Sequence, residues 1–147
     1  MSIRVLLADD SDIMRKAILG ALAEDPRIQV IAEATGFAQT IELTISLKPD
    51  VLLMDLHMSD EHTHPPELVR SKITPHARCI LAISVWNDDK AKALAASLGA
   101  KTLLDKANLY TTLLPAIRKT CAPTRGKPPL SFEKAPSPSL SPRKLLF

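Results

Sequence analysis

The sequence has no apolar run approaching the ~20 residues that a bilayer-spanning helix needs, so a helical membrane protein is excluded. It opens without a signal peptide: Arg4 and then Asp9 and Asp10 interrupt its first ten residues. Its two cysteines, Cys79 and Cys121, are too few to staple a domain of this size, which points to a reducing cytoplasm. Aromatic residues make up only 3%, and Trp86 and Tyr110 stand too far apart to build a base-stacking surface. No internal repeat is present. What remains is ordinary for a globular chain: 147 residues, 46% hydrophobic and 24% charged, enough for one core.

The net charge of +3 is unevenly placed. Residues 1–120 carry 14 basic and 15 acidic side chains, whereas 121–147 carry five basic ones against Glu133 alone. A basic nucleic-acid face on residues 1–121 is therefore not supported. Six of the 12 prolines also fall in the last 27 residues. Proline removes backbone donors and fixes φ, so two regions are predicted: a domain over 1–121 and a Pro/Ser-rich basic tail over 122–147, disordered.

Within 1–121, short apolar runs alternate with helical patterns. Strands are predicted at 3–8, 28–34, 51–55, 78–84 and 101–104. The first helix follows Ser11 or Asp12, with Ile13, Ala17, Ile18, Ala21 and Leu22 on its apolar side. Further helices are predicted over 35–47, after Pro65 and Pro66, over 88–98 and over 108–119, the last kinked or cut by Pro115. This rhythm predicts an α/β fold, a doubly wound five-stranded parallel sheet with flavodoxin-like order 2-1-3-4-5 and helices on both faces.

In such sheets the ligand crevice lies outside the strand carboxyl ends. Asp9 and Asp10 end the first predicted strand, Asp55 the third and Ser84 the fourth, and Lys106 follows the fifth. Three converging carboxylates repel one another, and a hard divalent ion with oxygen ligands relieves this. Asp10 and Asp55 directly, with Asp9 through water, suit Mg²⁺. Asp55 is a carboxylate nucleophile able to take a phosphoryl group. Ser84 offers a hydroxyl donor and Lys106 a cation to that group. Taken singly, Asp9-Asp10 reads as a helix cap and Ser84 as turn chemistry; their common register outweighs this. His57, His62 and His64 stand beside Asp60, Glu61 and Glu67. Imidazoles suit zinc or copper, but the spacing matches no closed site, and a solvated loop is the better reading. Cys79 reads as strand packing.

The segments VLLADDSD, LLMDLHM, ILAIS and LLDKANL, in this order and spacing, resemble the receiver domain of two-component response regulators over residues 2–120. The resemblance implies phosphotransfer from a histidine kinase to Asp55, dependence on Mg²⁺, and the backbone carbonyl of His57 as a further metal ligand. It implies a signalling acceptor with at most slow self-dephosphorylation rather than an enzyme. The acceptor would switch a docking face on helix four, strand five and helix five toward a downstream protein or a second copy. Four departures stand out. Ser59 and Asp60 replace the frequent proline and glycine, Leu103 replaces the usual aromatic, Ala107 replaces proline after Lys106, and Val85 is bulkier than usual. Two other functions compete. One is the receiver half of a truncated DNA-binding transcription regulator. The other is an aspartate-nucleophile phosphatase of the haloacid-dehalogenase type, for which Asp10-Ser11-Asp12 supplies the D-x-D but Ile13 and Met14 break the pattern.

Overall fold

A computed structural model describes residues 2–121. The expected 122–147 tail lies outside the described residues. Five parallel strands, β1 (Ile3–Ala8), β2 (Ile28–Ala34), β3 (Val51–Asp55), β4 (Cys79–Ser84) and β5 (Thr102–Asp105), form one sheet in the order β2-β1-β3-β4-β5. This is the predicted flavodoxin-like arrangement. The central strands β3 and β4 are buried along their whole length, as strands covered on both faces must be.

Alternate residues of the strands feed two cores. Val5, Leu7, Val51, Leu53, Leu81 and Ile83 face the helices α1 (Asp12–Leu22) and α5 (Leu109–Thr120). Leu6, Leu52, Met54, Ile80 and Ala82 face the side of α2 (Phe37–Leu47), α3 (Pro66–Ile73) and α4 (Asp89–Ser97). No helix among the described residues is long and apolar enough to cross a membrane.

Local chemistry sets the helix ends. The Ser11 hydroxyl accepts the Met14 N–H and starts α1. Asp88 does the same for α4 through the Ala91 N–H. Gly99, with φ of 87°, follows α4 where an L side chain would be strained. Arg4 reaches from β1 to the α2 terminus and donates to the carbonyls of Leu47 and Lys48, at 2.7 and 2.9 Å. At the foot of α1, Asp25 is bonded by Arg27 and Arg118. The Arg27 guanidinium, first, and the Arg27 amide hold this carboxyl well below the usual carboxylate range.

Three readings from the sequence need correction. Ile13 is 83% exposed and Ala17 is also exposed; the buried stripe of α1 is Ile18, Ala21 and Leu22. On α2 the buried positions are Phe37, Thr40 and Thr44, with Ile41 and Leu43 partly buried beside them. Pro115 does not break α5, which runs on to Thr120. Pro115 sits on the exposed side, where water can serve the carbonyl it leaves without a donor. Finally, the chain does carry a staple. Cys79 and Cys121 form a disulfide with Cα atoms 5.6 Å apart. Cys79 is nonetheless the packed strand residue the sequence suggested, at 3% exposure.

Candidate functional site

The strand ends bring Asp9, Asp10, Asp55, Ser84 and Lys106 to one edge of the sheet. Asp9 follows β1 and is fully buried, its amide held by the Ala34 carbonyl of β2. Asp55 closes β3 and is 6% exposed, whereas Asp10 stands open to solvent. Oxygens of these three carboxylates lie within 4.8 Å of one another, close enough to share one cation. The Lys106 ammonium enters from the turn after β5, 2.8 Å from Asp9 Oδ2 and 3.1 Å from Asp55 Oδ2.

The contacts of the two aspartates differ. Asp55 Oδ2 accepts a hydrogen bond from Lys106 Nζ, and Oδ1 accepts the His57 amide at 3.3 Å. Asp9 Oδ1 accepts the Ser11 amide at 2.9 Å. Asp9 Oδ2 is buried, and the Lys106 ammonium 2.8 Å away is the cation that meets it. A buried anionic oxygen costs energy unless a cation reaches it, and Lys106 does so here.

These surroundings shape the charge states. Burial, first, and the neighbouring Asp9 carboxylate push the Asp55 pKa up to about 6, against the pull of the Lys106 charge. Burial acts to lower the Lys106 pKa, but its contacts with Asp9 and Asp55 outweigh this, and the ammonium is held above its ordinary value. The crevice therefore holds one firmly charged cation and one carboxyl that ionises reluctantly.

Ser84, 1% exposed, ends β4 with its Oγ accepting the Trp86 amide at 3.0 Å. Val85 and Trp86 protrude beyond it, 60% and 58% exposed. Leu103, in place of an aromatic, is partly buried against the core on the α3–α4 side. The His57 side chain is engaged by Glu61 and Trp86. Its Nδ1 lies 2.8 Å from Glu61 Oε1, and its ring meets Trp86 edge to face with centroids 5.8 Å apart.

The other histidines do not converge with it. His62 is exposed, and His64 Nδ1 lies 2.9 Å from the Asp60 carbonyl oxygen. Among the described residues, Asp9, Asp10 and Asp55 are the group placed to hold a metal ion. The D-x-D reading is also unsupported by the local geometry. Ser11 caps α1, and Asp12 binds Arg15 at the surface.

Asp60 has a role that sequence reasoning missed. Its carboxylate accepts the amides of Phe37 at 2.8 Å and Ala38 at 3.0 Å, capping α2 from 22 residues away or more. Partial burial acts to raise its pKa, but the amides of Ala38 and Phe37 and the His64 charge outweigh that and lower it. Gly36 makes room: a Cβ there would lie 3.0 Å from Asp60 Oδ1. The loop after Asp55 is thus pinned to the start of α2. Asp60→Ala is expected to destabilise the fold by about 1–2 kcal/mol in urea unfolding, with Asp60→Asn recovering part of the loss. A loss in Asp60→Ala well below 1 kcal/mol would show that the cap contributes little.

Comparison with known proteins gives this edge a lineage. The family model for the response regulator receiver domain matches residues 5–118. LiaR of Bacillus subtilis, a transcriptional regulatory protein, is 33% identical over 135 residues, covering 90% of this chain and 61% of that protein. A protein-glutamate methylesterase/protein-glutamine glutaminase of Photobacterium profundum is 34% identical over 105 residues, 70% of this chain and 26% of the relative. The chain thus spans less than two thirds of the length of these curated relatives. Among solved structures, the receiver domain of NarL from Mycobacterium tuberculosis superposes with a TM-score of 0.71 at 26% identity, covering 86% of this chain and 98% of that one. The response regulator domain of Thermotoga maritima CheB shares the fold, with a TM-score of 0.71 at 24% identity over 84% of this chain and 99% of that one. Neither the phosphatase nor the truncated-regulator reading is favoured by these matches. With its order 2-1-3-4-5 sheet and the matched residues 5–118, the chain belongs to the response regulator receiver domain family, the phosphoacceptor signalling module of two-component systems.

Proposed function

We propose that Asp55 is the phosphoacceptor, taking its phosphoryl group from the phosphohistidine of a histidine kinase. The observation that carries this reading is the Lys106 ammonium set between Asp9 and Asp55, with the Asp10 carboxylate beside them. In the transfer, the phosphorus–nitrogen bond of the donor breaks and a phosphorus–oxygen bond to the Asp55 carboxylate forms. The departing imidazole takes its proton from solvent. Lys106 supplies positive charge to the phosphoryl oxygens. The Ser84 oxygen already accepts the Trp86 amide, so its proton is left to donate to a phosphoryl oxygen.

The donor set suits Mg²⁺: hard oxygens of three carboxylates, all within 4.8 Å of one another. Asp10 and Asp55 would hold the ion, Asp9 through water, and the His57 backbone carbonyl would complete the protein ligands. Once bound, Mg²⁺ neutralises charge on the transferring phosphoryl group.

The protein acts in this reading as a cytoplasmic signalling acceptor with slow self-dephosphorylation, not as an enzyme turning over a substrate. Its output is a changed docking face on α4, β5 and α5 for a downstream protein or a second copy of the chain. Incubation with Mg²⁺ and acetyl phosphate is expected to add about 80 Da by intact mass. The gain should vanish in Asp55→Asn and without the metal. An undiminished gain in Asp55→Asn would place the acceptor elsewhere.

A further inference from the structure

The buried stripe of α5 is Leu109, Leu113 and Ile117, one residue every four. The next position in that spacing is Cys121, half-buried and packed against the same core. On the sheet, Cys79, Leu81 and Ile83 share the face that meets α5. Strand parity and helix spacing thus bring the two sulfurs together at the start of β4 and the end of α5. The Cα separation of 5.6 Å falls in the ordinary disulfide range. Cys79 is 3% exposed and Cys121 is half-buried, so Cys121 is the more open residue of the pair. Ser84 ends the same strand about 17 Å away, so this pair is separate from the acidic crevice.

We propose that Cys79 and Cys121 are a reversible thiol–disulfide site, operated by exchange with a low-molecular-weight disulfide such as oxidised glutathione, that clamps the end of α5 to β4. In closing, the Cys121 thiolate attacks one sulfur of oxidised glutathione and expels a glutathione thiolate. The Cys79 thiolate then attacks Cys121 Sγ and expels the second. Two protein thiols are oxidised to one disulfide, glutathione disulfide is reduced to two glutathione thiols, and these carry away both protons. Opening is the reverse. When closed, the bond joins elements 42 residues apart in the chain. When open, the last turn of α5 keeps its Ile117 packing and the Cys121 amide bond to the Ile117 carbonyl, at 2.9 Å.

The test equilibrates the full chain in glutathione buffers running from fully reduced to fully oxidised. Thiol counting, thermal melting and amide hydrogen exchange are then read on the same samples. The thiol count should pass from two to none within the series. The melting temperature should rise by about 10 °C on closing. Exchange in the last turn of α5 should slow roughly tenfold. Cys121→Ser should abolish all three responses, and Cys79→Ala should do the same should the first variant not fold. A pair that stays bonded, or stays reduced, across the whole series would overturn the switch. An α5 whose exchange is equal in both forms would overturn the clamp.

Discussion

Asp55→Asn is expected to be more stable than the wild-type protein in the absence of metal, by about 2–3 kcal/mol at pH 7. The cause is the burial that pushes the Asp55 carboxyl up to about 6. Between an unfolded value near 4 and that folded value, the native state binds more protons than the unfolded chain. Wild-type stability therefore falls as pH rises through this window and levels off above it. The asparagine amide has no charge to lose, so the advantage of the variant should shrink toward nothing as pH drops to about 4. Urea unfolding of both proteins across this range, with chelator present, measures the difference. A variant no more stable than wild type at pH 7, or an advantage independent of pH, would contradict the account. Adding Mg²⁺ should stabilise the wild type more than the variant, which lacks one of the anionic oxygens.

Lys106→Ala is the second large effect. The ammonium lies 2.8 Å from Asp9 and 3.1 Å from Asp55, and its side chain is only 13% exposed. Its loss leaves two buried carboxylates facing each other with no fixed positive charge. A destabilisation of about 3 kcal/mol is expected at neutral pH without metal. Lowering the pH to about 5 should recover part of it, since the carboxyls then share protons. Phosphorylation by a small-molecule donor should slow by about 10²–10³-fold even with metal present. Lys106→Arg keeps the charge but not its compact placement, and should recover stability better than rate. A rate within a few-fold of wild type in Lys106→Ala would remove this lysine from the chemistry.

The sheet was legible because its central strands are short apolar runs bounded by polar or turn residues, and because parallel strands buried on both faces leave no alternation to confuse the reading. The crevice residues were legible for the same reason: a carboxylate at the end of such a run has one place to be. Helix faces were harder. Ile13 looks like a core residue but turns outward, since Ile18, Ala21 and Leu22 already fill the space under α1. Threonines took the inner positions of α2, which a reading based on apolar residues passes over.

Long-range partners were not legible at all. Nothing near Asp60 in sequence announces that it caps a helix beginning at Phe37, although Gly36 is, in retrospect, the gap that admits it. The bond between Cys79 and Cys121 likewise depends on where a helix ends against a strand, and an unbroken path through Pro115 is needed to bring it there. Counting cysteines against chain length says nothing of such a meeting.

Trp86 is the only tryptophan of the chain, and its backbone amide is tied to Ser84 Oγ while its ring rests edge-on against His57. Trp86 thus touches both the residue that ends β4, through its backbone, and the residue two positions after Asp55, through its ring. Its emission spectrum is therefore expected to shift with events in the crevice, which time-resolved fluorescence could follow on unlabelled protein.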